Sequence, residues 1–104
     1  MSNYKLLYVT CGSKSEAIKL GKLLVSNKLV ACTNIVENIQ SIFNWKNKTK
    51  SLKEFILIGK TQKKNIKLIT KIIEKKHSYE CPCILFFNID VGNKKFLKWI
   101  KKNS

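Results

Sequence analysis

Two neighbouring stretches of β-type sequence constrain the fold of this chain more than any other feature. Residues 30–45 are rich in β-branched and aromatic side chains, and residues 52–61 repeat that character around an unbroken apolar core. The polar residues 44–50 between them suit the tip of a hairpin. We therefore predict one long antiparallel hairpin, with a bend near Glu37–Asn38.

This hairpin is longer than a small sheet can accommodate. Its projecting arm exposes the apolar side chains of Ile39, Phe43 and Trp45. An exposed apolar strand edge of this kind must be paired or covered, and other copies of the same chain are the simplest partners to cover it. The hairpin thus predicts a homo-oligomer.

The rest of the chain alternates between strand and helix patterns. Ser13 followed by Glu16 matches a capping box at the start of the first helix, and Gly21 inside that helix indicates a close approach to the sheet. The further predicted elements are a strand over residues 4–10, a turn at residues 11–13, an end of the first helix at Asn27–Lys28, a second helix over residues 62–76, a strand over residues 84–89 buried on both faces, and a last helix capped by Asn93 with Phe96, Leu97 and Ile100 on its apolar face.

The order of these elements predicts the fold class. A βαββαβ sequence with right-handed crossovers, followed by one more helix, gives an α+β ferredoxin-like domain whose four-stranded antiparallel sheet has the strand order 4-1-3-2. We expect residues 1–104 to form a single domain, because that length is sufficient to bury a core without disulfides.

Residues 77–83, His-Ser-Tyr-Glu-Cys-Pro-Cys, carry the strongest chemical signal in the sequence. Imidazole and thiolate together suit copper, zinc or iron, whereas calcium and magnesium require clusters of oxygen ligands. Pro82 disfavours a helical conformation at the preceding residue, so the helix before it must end and the segment enters a strand. The segment therefore predicts a metal site at the mouth of the fourth strand.

The predicted topology indicates which cysteines can join this site. The start of strand four, with Cys81 and Cys83, lies beside the end of strand one, with Cys11, and His77 reaches the same edge. Cys32, at the start of strand two, belongs to the opposite end of the sheet and joins these residues only if an oligomer brings it there.

A structural alternative stays open at this point. The chain has no CxxC pair, and Cys81 and Cys83 also fit the role of small buried hydrophobes. In that interpretation His77 simply closes the preceding helix.

The formal net charge of +15 raises the question of nucleic-acid binding. All 21 basic residues are lysine, and arginine, the preferred donor to phosphate and guanine, is absent. Lysine, isoleucine and asparagine share A/T-rich codons, so we interpret the charge as codon bias on solvated faces and predict no specific nucleic-acid partner. The chain has no membrane-spanning apolar run, and we expect a cytoplasmic protein with its four cysteines as thiols.

Several separate segments together resemble one family, the CutA-type divalent-cation tolerance proteins. They are Val9–Thr10, residues 29–35 (LVACTNI), residues 41–45 (SIFNW), Lys60–Thr61, residues 77–82 (HSYECP), and Gly92–Asn93 followed by residues 96–100 (FLKWI). The resemblance implies a cytoplasmic homotrimer of ferredoxin-like subunits, similar in architecture to the PII signalling proteins, and a link to copper and other divalent metals. Cys32, His77 and Tyr79 match the family's positions, whereas Cys11 and Cys83 are candidates from the predicted geometry.

Two positions depart from the family pattern. Cys83 stands where the family usually has glutamate, and Asn47 stands where glycine usually turns the hairpin. Asparagine tolerates the left-handed conformation, so the turn is retained. The thiolate of Cys83 shifts the expected preference toward soft ions such as Cu(I).

These observations favour a metal-binding tolerance protein that holds copper or another divalent ion through His77 and cysteines. The alternative is a trimeric PII-like signalling or adaptor module, in which Trp45 and Tyr79 recognise a small ligand at a subunit cleft. An enzyme is least favoured, because the sequence contains no marked oxyanion hole, phosphate loop or nucleotide fingerprint.

Overall fold

Four antiparallel strands form one sheet, with helices packed against it, in the computed structural model, which describes residues 2–104. The sheet order is β2-β3-β1-β4, which is the predicted order and confirms the α+β ferredoxin-like fold class. The elements are β1 (Tyr4–Cys11), α1 (Lys14–Ser26), β2 (Cys32–Trp45), β3 (Lys48–Gln62), a 3-10 turn (Lys63–Asn65), α2 (Ile66–Lys76), β4 (Ile84–Asn88) and α3 (Lys94–Asn103).

The central strand β1 determines which side chains face the core. Its residues alternate between partly exposed and buried, with Lys5, Leu7, Val9 and Cys11 on the buried face. That face packs against apolar residues of the two long helices and the neighbouring strands, chiefly Ala17, Leu20, Leu24, Val30, Leu57, Ile69 and Ile73. Cys11 was predicted as a turn residue, but it is the last residue of β1, and the alternation directs its thiol toward the core.

The β2-β3 hairpin is as long as predicted. Its register runs from Cys32 opposite Lys60 to Trp45 opposite Lys48. A register shift lies between Val36 and Ile39, and this bulge confirms the predicted bend.

The hairpin turn is tighter than the predicted tip over residues 44–50. Lys46 and Asn47 have φ angles of 52° and 64°, and the strands continue on both sides of these two residues. Positive φ at both central positions is the signature of a type I′ turn, whose twist matches that of the flanking strands. β3 therefore begins at Lys48, four residues before the predicted start.

Several helix ends also differ from the predictions. The predicted helix over residues 62–76 begins as an α-helix only at Ile66, because a 3-10 turn precedes it. Asn93 occupies the N-cap position of α3, but its side chain makes no capping hydrogen bond. The close approach at Gly21 is confirmed, since a Cβ there would lie 3.0 Å from Thr33 Oγ1 of β2. No helix within residues 2–104 has the length and apolar character needed to cross a bilayer.

The prediction that β4 is buried on both faces is wrong for the single chain. Leu85 and Phe87 are 48% and 49% exposed, because α1 and α2 cover only the opposite face of the sheet. Both side chains lie on the face that Tyr8 and Val36 share, which we call the open face. β4 is an edge strand, so its outer side also lacks a neighbour within this chain.

Candidate functional site

The segment between α2 and β4 meets the end of β1, as the topology predicted. Ile84 pairs with Val9, so the residue before it, Cys83, lies opposite Thr10. Pro82 lies just before β4. Proline has no backbone N–H, but at this position no hydrogen bond between the strands requires one. The residues with metal-ligand chemistry at positions 77–83 thus lie against Thr10 and Cys11.

Three potential metal ligands from separate elements meet at this place. One ligand atom each of Cys11, Glu16 and His77 lies within 4.8 Å of the other two, and we call these residues the ligand group. Ligands around one zinc ion lie at metal distances of about 2.0–2.3 Å, so small side-chain movements would bring this group to coordinating separation. Two of its members were predicted from the sequence, and Glu16 was not.

His77 is buried, and both of its ring nitrogens have partners. Nε2 lies 2.8 Å from the carbonyl oxygen of Thr10, and the backbone N–H of Tyr79 donates to Nδ1 over 3.0 Å. Because Nδ1 accepts a backbone N–H, the network assigns the proton to Nε2, which donates to Thr10. His77 also caps the C-terminus of α2 through its own N–H, as the structural alternative supposed.

Glu16 joins the start of α1 to the segment after α2. Its carboxylate accepts hydrogen bonds from the backbone N–H of Ser78 (2.8 Å), the hydroxyl of Ser78 (3.1 Å) and the backbone N–H of Gly12 (3.3 Å). Burial by itself would raise the pKa of Glu16, but these hydrogen bonds, those of Ser78 first, hold the pKa below its usual range. Glu16 is therefore a carboxylate at neutral pH, and its oxygens are already engaged.

Sequence reasoning missed this role because the capping box explained Glu16 completely. The Ser13 side chain does accept the backbone N–H of Glu16, as such a box requires. The carboxylate, however, accepts hydrogen bonds from Ser78, which is 62 residues away in sequence. Only the fold reveals a contact of that range.

The thiols of Cys11 and Cys83 are both held in their protonated form. Burial, and then the negative charges of Glu16 and Glu54, raise the pKa of Cys11 to about 12. Burial also raises the pKa of Cys83, although hydrogen bonding with Thr10 acts in the opposite direction. A metal ion that binds either sulfur must displace its proton.

The remaining candidate cysteines lie elsewhere. Cys32 is opposite Lys60, which in turn pairs with Leu6 near the start of β1, so Cys32 is at the far end of the sheet from Cys11. Cys83 lies beside Thr10 but outside the ligand group. Cys81 is exposed.

Trp45 and Tyr79, the two candidate ligand-binding residues, line one cleft. It has a volume of about 450 Å³ and separates the hairpin arm from the segment after α2. The lining residues are Phe43, Trp45, Lys50, Ser51, Leu52, Ser78, Tyr79, Glu80 and Cys81. The cleft and the ligand group therefore share a common wall, the segment 78–81.

Tyr79 is fixed in this wall by another carboxylate, that of the buried residue Glu54. Its hydroxyl donates to Glu54 Oε2 over 2.7 Å, and Glu54 is only 5% exposed. Burial and this neighbouring carboxylate raise the pKa of Tyr79, so the hydroxyl keeps its proton and remains a donor. No local sequence signal marks Glu54, because the hydroxyl that donates to its carboxylate belongs to Tyr79, 25 residues later.

The network around Glu16 predicts an acid-sensitive contribution to stability. The pKa of Glu16 is lower in the folded protein than in the unfolded chain, where it is about 4.3. The stability that the Glu16 carboxylate contributes is therefore complete above about pH 4.3 and is lost as the pH falls through the folded pKa. Glu16→Gln should lower the free energy of unfolding by about 1–3 kcal/mol at pH 7. Urea denaturation between pH 7 and 3 measures this difference, which should shrink in acid.

Glu74→Gln is the matched control, because Glu74 is exposed on α2. Equal free energies of unfolding for Glu16→Gln and Glu74→Gln at every pH would contradict the stabilising role assigned to the Glu16 carboxylate.

Comparison with known proteins agrees with this architecture. A sequence model described as CutA1 divalent ion tolerance protein matches residues 5–103. The divalent-cation tolerance protein CutA of Archaeoglobus fulgidus is 37% identical over 93% of this chain and 94% of its own length. The crystal structure of CutA1 from Oryza sativa superposes with a TM-score of 0.95 at 32% identity, covering 99% of this chain and 94% of that one.

A chloroplastic CutA protein of Arabidopsis thaliana is 33% identical over 95% of this chain, which spans only 54% of the length of that relative. With a family match over residues 5–103 and a full-length relative above 30% identity, the chain belongs to the CutA1 divalent ion tolerance protein family.

Proposed function

We propose that this protein is a cytoplasmic homotrimer that binds copper, or another soft or borderline metal ion, at the ligand group Cys11, Glu16 and His77. The observation that carries the proposal is the convergence of a thiol, a carboxylate and an imidazole within 4.8 Å. Membership of a divalent ion tolerance family supports a role in metal handling.

The donor set suits this group of metals. Thiolate and imidazole select copper and zinc over magnesium and calcium. The hydrogen bond from His77 Nε2 to the Thr10 carbonyl would orient the ring and leave Nδ1 to bind the metal, since such backbone contacts commonly orient metal-bound histidines. Three protein ligands leave room for a fourth, from water, from a small ligand or from Cys83.

Cys83 would determine how soft the site is. It lies beside Thr10, the residue before Cys11, so a modest movement of the segment would add a second sulfur to the first. Two thiolates favour Cu(I), whereas the glutamate that the family usually has at this position favours harder ions.

The open face of the sheet supports the trimer. Val36, Leu85 and Phe87 are between 42% and 49% exposed, which is a large apolar surface for a single chain to present to water. Identical subunits would cover it and would also pair the free edges of β2 and β4. Assembly is also the only route by which Cys32 could contribute to a site in another subunit.

The same side chains do not favour catalysis by cysteine. A nucleophilic cysteine requires a lowered pKa, whereas burial raises the pKa of both Cys11 and Cys83. All four cysteines are free thiols, which fits the reducing cytoplasm that we propose as the location.

A second function is favoured by the shared cleft of Trp45 and Tyr79. Two aromatic side chains from distant parts of the chain line one mainly apolar concavity, which is the usual form of a small-ligand site. In this alternative the protein is a trimeric signalling or adaptor module of the PII type, and the hairpin arms contact a partner.

Metal binding is tested by titrating the reduced protein with Cu(I), Cu(II) and Zn(II) against competing chelators. We expect Cu(I) to bind with a dissociation constant well below about 1 μM. The affinity should increase with pH, by about tenfold per unit for each thiol proton displaced. Cys11→Ser should weaken Cu(I) binding by about 100-fold or more, and Cys83→Ala by about tenfold.

Matched variants make this test specific. Glu80→Gln changes an exposed carboxylate of the same segment and should leave the affinity unchanged, whereas Cys83→Glu should reduce the preference for Cu(I). Dissociation constants of about 1 μM or weaker for all three ions would contradict the metal proposal and favour the adaptor function.

The trimer is tested by light scattering of the reduced protein at micromolar concentration. We expect about three times the chain mass of 12.0 kDa. Leu85→Lys should dissociate the assembly, because it places charges on the apolar open face. A wild-type monomer under these conditions would contradict the proposed assembly.

A further inference from the structure

We infer that the backbone of Ser78 and Tyr79 is a switch through which metal binding at the ligand group reshapes the aromatic cleft. This inference rests on the proposed function, because it concerns the metal site at Cys11, Glu16 and His77. It adds a regulatory coupling between that site and the cleft of Trp45 and Tyr79.

The ligand atoms of Glu16 and His77 hold the segment Ser78–Tyr79 when no metal is bound. The N–H of Ser78 donates to Glu16 Oε2 over 2.8 Å, and the N–H of Tyr79 donates to His77 Nδ1 over 3.0 Å. Two consecutive backbone amides are therefore bound by two members of the ligand group.

A metal ion at the ligand group competes with these two amides for the same acceptor atoms. Nδ1 is the ring nitrogen that faces Glu16, at 3.9 Å from Oε2, while Nε2 is bound to the Thr10 carbonyl. A neutral imidazole has one lone pair in its plane, so Nδ1 cannot accept the N–H of Tyr79 and coordinate a metal at the same time. Coordination of the metal by Nδ1 must therefore release the N–H of Tyr79. A cation bound to the Glu16 carboxylate draws electron density from its oxygens and so weakens the hydrogen bond that Glu16 accepts from Ser78.

Tyr79 cannot shift without changing the cleft, because it forms part of the cleft wall. Its ring packs 4.7 Å from the His77 ring, centroid to centroid, and its hydroxyl is held by Glu54. Gly12 leaves the space that the ring occupies, since a Cβ at Gly12 would lie 3.0 Å from the Tyr79 hydroxyl oxygen. Because the ring is confined on these sides, a shift of the Tyr79 backbone changes how the residue lines the cleft that it shares with Trp45.

The consequence is a thermodynamic coupling. Suppose that metal binding, by moving Tyr79, changes the affinity of the cleft for a small ligand by some factor. Binding of that ligand must then change the affinity for the metal by the same factor. The protein would then report its metal state at the cleft, where the hairpin arm also lies.

The test is a Zn(II) titration of the reduced protein carrying Trp99→Phe, which leaves Trp45 as the single tryptophan. Zn(II) is redox-inactive, so it does not oxidise the cysteines during the titration. Calorimetry reports binding, amide hydrogen exchange by NMR reports the backbone, and fluorescence reports Trp45. We expect Zn(II) to increase the exchange rates of the Ser78 and Tyr79 amides by at least about tenfold and to shift Trp45 emission.

The amide of His77 is an internal control, because it donates to the Ile73 carbonyl within the α2 cap and should keep its protection. Tyr79→Phe removes the tether to Glu54, so Zn(II) should still release the two amides while the Trp45 response changes. Tyr8→Phe, on the open face, should behave as the parent protein does.

The possible results separate the two levels of the proposal. Stoichiometric Zn(II) binding that leaves the Ser78 and Tyr79 amides as protected as before overturns the coupling and leaves the proposed metal function intact. Absence of Zn(II) and Cu(I) binding overturns both.

Discussion

The imidazole of His77 connects the parts of this structure that matter for its function. One ring nitrogen donates to the carbonyl of Thr10 at the end of β1, and the other accepts the N–H of Tyr79 two residues later. Because the ring is buried, both contacts are needed to satisfy its polar atoms. Together they fix the exit of α2, the entry into β4 and the wall of the aromatic cleft.

In this arrangement the proposed metal binding competes with hydrogen bonds that stabilise the fold. In the metal-free protein each ligand is engaged: His77 by two hydrogen bonds, Glu16 by three, and Cys11 by its own proton. Each hydrogen bond given up costs about 1 kcal/mol net, whereas structural zinc sites supply about 10–16 kcal/mol. The proposed coordination would therefore offset the lost hydrogen bonds, and we expect it to be weaker and more pH-dependent than at a site preorganised for metal.

The topology was predictable from the sequence because local patterns determine it. The hairpin and its bend near Asn38 follow from residue periodicity. The adjacency of β1 and β4 follows from the right-handedness of the crossover connections. Glu16 and Glu54 were missed because their partners, Ser78 and Tyr79, are distant in sequence. The burial of β4 was overestimated because an apolar run does not reveal whether helices of the same chain cover one or both of its faces.

The coordination of Cu(I) in the loaded protein tests the central claim most directly. X-ray absorption at the copper edge distinguishes sulfur from nitrogen and oxygen neighbours and identifies imidazole by its scattering beyond the first shell. The account predicts at least one sulfur together with one imidazole nitrogen, and loss of the imidazole signal in His77→Ala. A first shell of sulfur alone, unchanged by His77→Ala, would contradict it and would place the metal at the cysteines without the histidine.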